Sequence, residues 1–199
     1  MRSYWLLLLT NFLWGFSAAG VFTHIVAYEV DIGYSEHFAT NVVAIILGLT
    51  AIGKPTMGAL ADHVGGKGVL GLGLIITGSG FLALLAARRG WVVAPAILLI
   101  GFTLAAPVGL MPMVLAETFG LRRFGSLMGW LGLIFTFGLF SGPLVVGRMF
   151  DGFRSYTPAY EMCAGASIVA GFLAFLCAAP EPSLWRRADE SGDVQMRAN

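Results

Sequence analysis

Charge is scarce in this 199-residue chain: Asp, Glu, Lys and Arg make up 12% of it, and the formal net charge is +1. So slight a balance excludes the basic footprint of a nucleic-acid-binding surface, and no nucleic-acid partner is expected. Cysteine is scarce as well. Cys163 and Cys177 stand fourteen residues apart on one apolar segment, about 21 Å along a helix axis, which is too far for a disulfide. Neither has the neighbours of a metal site or an activated thiol, so both read as inert buried thiols. Histidine occurs three times, as His24, His37 and His63. Two of these fall at loops, and no base-and-orienter arrangement emerges around Ser79 of Gly78-Ser79-Gly80, the one sequence that suggests an intramembrane hydrolase. No enzyme and no cofactor is expected.

Apolar length is what the chain has in abundance. Hydrophobic residues form 57% of the sequence and the mean hydropathy is +0.81, beyond the range of a soluble domain of this size. Six apolar segments fall at about 4–28, 37–61, 67–87, 91–116, 124–149 and 158–179, each long enough to cross a hydrocarbon core of roughly 30 Å. The fold class expected is an all-α membrane protein, a bundle of six transmembrane helices over residues 1–179. A polar tail at 180–199, with Arg186, Arg187 and Arg197, reads as a disordered extension. Apolar character continues past Ser17-Ala18-Ala19 through Val21, Phe22 and Ile25, which argues for a span and against a cleaved signal peptide.

Six spans put both termini on one side of the bilayer. With the termini cytoplasmic, Arg2, Lys67, Arg122, Arg123, Arg186, Arg187 and Arg197 lie inside, and Arg88, Arg89, Arg148 and Arg154 outside. The excess favours that orientation, in the inner or plasma membrane of a cell. Gly125-x-x-x-Gly129 and Gly138-x-x-x-Gly142 fit the small-residue spacing of close helix contacts. Pro95, Pro107 and Pro112 interrupt the fourth segment and predict kinks there.

Within the second segment, residues 37–61 contain one full charge, Lys54. It lies eight residues before Asp62, about 12 Å up the axis and inside the hydrocarbon. An ionised side chain at that depth costs about 2.5 to 3.5 kcal/mol, so it faces a watery cavity, a partner or a substrate. Snorkelling to the interface is the ordinary alternative. Helical side chains tilt toward the N-terminus, however, which turns Lys54 toward the membrane midplane. Pro55 removes a backbone donor next to it and predicts a broken helix at mid-depth, as transporters use to build sites. Gly48 through Lys54 imitates a phosphate-binding loop, but Pro55 stands where the metal-binding hydroxyl belongs and the run lies within a spanning helix.

The stretch Gly58-Ala59-Leu60-Ala61-Asp62-His63-Val64-Gly65-Gly66-Lys67 reads as a turn, with Asp62 capping the third helix, Gly65 and Gly66 reversing the chain, and Lys67 anchoring it. It resembles the cytoplasmic signature of the major facilitator superfamily, with His63 where a basic residue is usual and Lys67 alone of the basic cluster. Further matches narrow the resemblance: His24 to Gly33, Gly53-Lys54-Pro55-Thr56-Met57-Gly58, Ala116 to Gly120, Gly142-Pro143, Phe150-Asp151 and Ser155 to Ala159. Together they look like the monocarboxylate porter and oxalate/formate antiporter group, over the C-terminal six of its twelve helices.

That resemblance implies half of a secondary transporter moving small organic anions, monocarboxylates first, by alternating access in a lipid bilayer, with protons as a candidate co-ion. Lys54 falls where the family places the arginine that meets the substrate carboxylate. Thr50 falls where proton-coupled carriers have an aspartate. Asn11, Asn41 and His24 are further candidates for substrate contact. Gly58, Asp62, Gly65, Lys67, Glu117 and Arg122 are candidates for the gate, the alternative for Glu117 being a surface pairing with Arg122 or Arg123. The implied partner is a missing N-terminal six-helix half or a second copy of the chain. The alternative is a truncated fragment, or a non-transporting assembly or regulatory subunit that kept the fold.

Overall fold

The computed structural model describes residues 2–86 and 90–177. Seven helices account for six spans: α1 (Arg2–Asp31), α2 (Glu36–Val64), α3 (Gly66–Leu85), α4 (Val93–Thr103), α5 (Ala106–Phe119), α6 (Phe124–Phe153) and α7 (Thr157–Leu176), with a short 3₁₀ turn, Gly90–Val92, leading into α4. Within the described residues each predicted segment falls on a helical span, and α4 with α5 together form the fourth crossing. Arg88, Arg89 and the 180–199 tail lie outside the described residues.

The spans run alternately up and down, so the start of α1, the α2–α3 junction, the α5–α6 turn and the end of α7 share one end of the bundle. Two contacts tie that end together. Tyr4 Oη donates to the carbonyl of Leu127, 3.1 Å away, and Lys67 Nζ donates to the carbonyl of Cys177 at 3.0 Å. Lys67 thereby satisfies an orphan acceptor and complements the negative end of α7.

α1 is the central element, packed on α6 and α7, while α3 packs on α7 and α4, and α2 packs on α4. Gly138 and Gly142 make the α1–α6 approach possible: a Cβ on Gly142 would enter the carbonyl oxygen of Phe16, and one on Gly138 would lie 2.9 Å from the nitrogen of Phe16. The companion pair, Gly125 and Gly129, makes no such contact, since a Cβ on either would meet nothing within 4 Å. The spacing was sound, but only one of the two pairs faces a neighbour. Buried hydroxyls serve the packing from within, with Ser167 Oγ reaching the carbonyl of Leu74 at 2.8 Å and the Thr77 and Thr103 hydroxyls meeting at 2.7 Å.

The break between α4 and α5 has a local cause. Pro107, in the first turn of α5, has no N–H to give and no room for the carbonyl four residues earlier. The N–H of Val108 bonds to Ala105 at 3.2 Å, which leaves the carbonyl of Leu104 without a helical partner. Trp14 of α1 supplies one, its indole N–H lying 3.3 Å from that oxygen.

Two expectations about helix geometry do not hold. α2 runs unbroken past Pro55, from Glu36 to Val64, so the mid-depth discontinuity belongs to the fourth span instead. Asp62 does not cap α3: it lies within the last turn of α2, and Gly65, at φ 93°, ends one helix and precedes the next with no side-chain cap. An acid from α5 does lie beside that N-terminus: Glu117 Oε2 would be 3.3 Å from a Cβ on Gly66. The expected pairing of Glu117 with Arg122 or Arg123 is not formed among the described residues.

Candidate functional site

Lys54 is exposed on the face of α2, where it lines a pocket of about 240 Å³ together with Gly58 and Asp62 of its own helix and Ala106, Val108, Gly109, Leu110 and Met113 of α5. The spacing Lys54, Gly58, Asp62 is one residue per helical turn, so the three share a face. Gly58 and Gly109 both border open space, for a Cβ on either would meet nothing within 4 Å.

The helix break fixes what stands across from the ammonium. Gly53, the residue before Lys54, lies against the backbone of Phe102, whose carbonyl oxygen a Cβ would strike. That contact sets Lys54 level with the place where α4 stops and α5 begins. The first turn of α5 carries the positive end of a helix dipole. At the Lys54 end of the hollow a cation and a helix N-terminus both favour an anion, with the Asp62 carboxylate two turns further along α2 as the opposing charge.

The other sequence-predicted residues are placed elsewhere. The Thr50 hydroxyl is turned back on its own helix, donating to the carbonyl of Leu47 at 2.7 Å. Asn41 is exposed at the far end of α2. Asn11 is buried, with Nδ2 donating to the carbonyl of Leu131 at 2.7 Å, so its amide holds α1 to α6. It also borders a narrower cavity of about 160 Å³ beside Trp14, Val108 and Met128. His24 is half-buried, with Nε2 3.2 Å from the carbonyl of Pro143 and its ring 5.8 Å from that of Tyr156. Lys54, Gly58 and Asp62 are therefore the predicted residues that one pocket brings together.

Sequence reasoning passed over two features. One is the α5 wall of the pocket, signalled only by Pro107. The other is Glu29, wholly buried on α1 with neither carboxyl oxygen hydrogen-bonded. Its position one residue after Tyr28, near the end of an apolar segment, gave no sign of burial. At the same end, Asp31 and Glu36 line a groove with Tyr156, and burial, then Asp31 and Asp151, push the Tyr156 phenol up.

Residues 2–195 match the Major Facilitator Superfamily. The chain belongs to that superfamily. Members of the Major Facilitator Superfamily are transporters and not enzymes, which leaves Ser79 its observed part: its hydroxyl donates to the carbonyl of Ile75 at 2.9 Å. Among curated relatives, the chain is 32% identical over 151 residues to monocarboxylate transporter 9 of Gallus gallus, covering 73% of this chain and 29% of the relative. It is 25% identical over 162 residues to monocarboxylate transporter 12 of Rattus norvegicus, covering 79% of this chain and 33% of the relative. The chain thus spans about a third of the length of the curated relatives it matches.

Proposed function

We propose that this chain forms the C-terminal half of a secondary carrier for small organic anions, monocarboxylates foremost, and works by alternating access with a second six-helix half. The observation that carries the reading is Lys54 in an open pocket opposite the first turn of α5. Once the site is closed from water, the Lys54 ammonium gives a carboxylate a strong charge-assisted hydrogen bond, with Asp62 two helical turns away in the same pocket. A single cation balances a monoanion better than a dianion. The names of the two relatives agree with that preference.

The second half is supported by how little of α2 and α6 is covered. Among the described residues, Ala39, Val42, Ile46, Gly53 and Ala61 are buried on α2, and Leu131, Gly138, Gly142 and Val146 on α6. Both helices leave long faces for another bundle to occupy. In this reading residues 1–179 are the carrier half and 180–199 a cytoplasmic tail, with both termini cytoplasmic in the plasma or inner membrane.

The test is uptake by proteoliposomes holding the chain together with its completing half, a separate six-helix chain or a second copy. Labelled lactate, pyruvate and formate should enter saturably and compete with one another, with oxalate the poorer substrate. Uptake of oxalate in preference to all three, or of none of the four, would overturn the reading.

A further inference from the structure

A second cavity, of about 600 Å³, lies at the end of the bundle where α5 turns into α6, lined by Tyr4, Trp5, Phe119, Arg122, Arg123 and Leu127. Among the described residues its lining is two cations beside four aromatic or aliphatic side chains, without a carboxylate. Both arginines are exposed, and Trp5 is 70% exposed. The apolar wall is preformed. Tyr4 is held by its hydrogen bond to Leu127 and sits edge-on to Phe119 with ring centroids 5.7 Å apart.

Arginines after a helix C-terminus have an ordinary use, complementing the dipole and holding the bundle at the bilayer surface. That use needs neither a hollow nor an uncovered indole. The opposite end of the bundle sharpens the contrast, because its groove of about 590 Å³ is lined by Asp31 and Glu36. The Lys54 pocket and the cavity beside Asn11 share one wall residue, Val108.

We propose that this cavity is a peripheral binding site for an amphipathic monocarboxylate. Arg122 and Arg123 hold the carboxylate, and the apolar body lies on Tyr4, Trp5, Phe119 and Leu127. The proposal rests on the reading of the chain as an anion carrier, for which this is the waiting position at the α5–α6 end. Guanidinium groups suit the task because they grip a carboxylate through two parallel hydrogen bonds, where an ammonium offers a point charge. A phospholipid headgroup presents the same anionic chemistry, so the experiment must separate the two.

The full chain is placed in phosphatidylcholine nanodiscs and titrated with 4-iodophenylacetate, a heavy-atom quencher of indole emission. The Trp5 signal is taken as the difference from Trp5→Phe. Quenching should saturate and should be absent with the uncharged methyl ester. The double variant Arg122→Gln, Arg123→Gln should bind about tenfold more weakly, as the loss of charge-assisted hydrogen bonds implies. Arg122→Lys with Arg123→Lys should keep part of the affinity, and Lys54→Gln all of it. Unsaturable quenching, equal quenching by the ester, or an unaffected double variant would overturn the proposal. So would arginine-dependent retention of phosphatidylglycerol with no saturable probe binding, which would assign the cavity to lipid. Saturable binding in a protein that transports nothing would remove the carrier reading and leave the site standing.

Discussion

Trp14 and Leu104 are joined across the break in the fourth span, the indole N–H of one lying 3.3 Å from the carbonyl oxygen of the other. The bond connects the central helix to the discontinuity that walls the Lys54 pocket. Trp14→Phe retains a ring to stack on Phe135, 4.5 Å away, but strands the Leu104 carbonyl. It should cost about 1 kcal/mol of stability, the usual net worth of a hydrogen bond whose acceptor is only half-buried. Thermal unfolding in detergent measures this, and an unshifted midpoint would mean that the break is satisfied by some other donor.

Gly142 and Gly129 have the same motif spacing and opposite surroundings. Gly142→Val drives a branched side chain into the backbone of α1 and should prevent the native α1–α6 packing, read as loss of a cooperative melt. Gly129→Ala adds a methyl to open space, where helix propensity alone predicts a gain of about 0.5–1 kcal/mol. Comparable damage from both would remove the packing argument.

The contrast shows where sequence reasoning reaches and where it stops. Six spans were legible because apolar length is a local property, and Lys54 was legible because a charge within such a segment is conspicuous. The break was not. Pro95, Pro107 and Pro112 look alike in sequence, yet Pro95 lies near the start of α4 and Pro112 within an unbroken α5. Beside Pro107 a donor from a distant part of the chain, Trp14, takes up the Leu104 carbonyl that the shifted Val108 N–H leaves unbonded. Asp62 was misjudged for a related reason. A run of two glycines marks a turn but not its register, and the positive φ falls at Gly65, placing Asp62 inside α2. The pocket's far wall was illegible because the meeting of Gly53 with Phe102 sets it.

Cys177 lies just past the end of α7, where burial pushes its thiol up to about 11, with Lys67 pulling the other way. The thiolate is the nucleophile, so almost none is reactive at neutral pH. A water-soluble maleimide at pH 7.5 should label neither Cys177 nor the buried Cys163 in the folded protein, and both fully after denaturation. Rapid labelling of the native protein would show that the α1–α7 end is open to water.

The central claim is that the Lys54 ammonium meets the carboxylate of the transported anion, and a substitution series at that position in reconstituted vesicles tests it most directly. With expression and melting behaviour matched, Lys54→Ala and Lys54→Gln should abolish saturable monocarboxylate uptake, a loss of at least about a hundredfold for a desolvated ion pair. Lys54→Arg should restore part of it. Uptake by Lys54→Gln at the parental rate and KM would contradict the account.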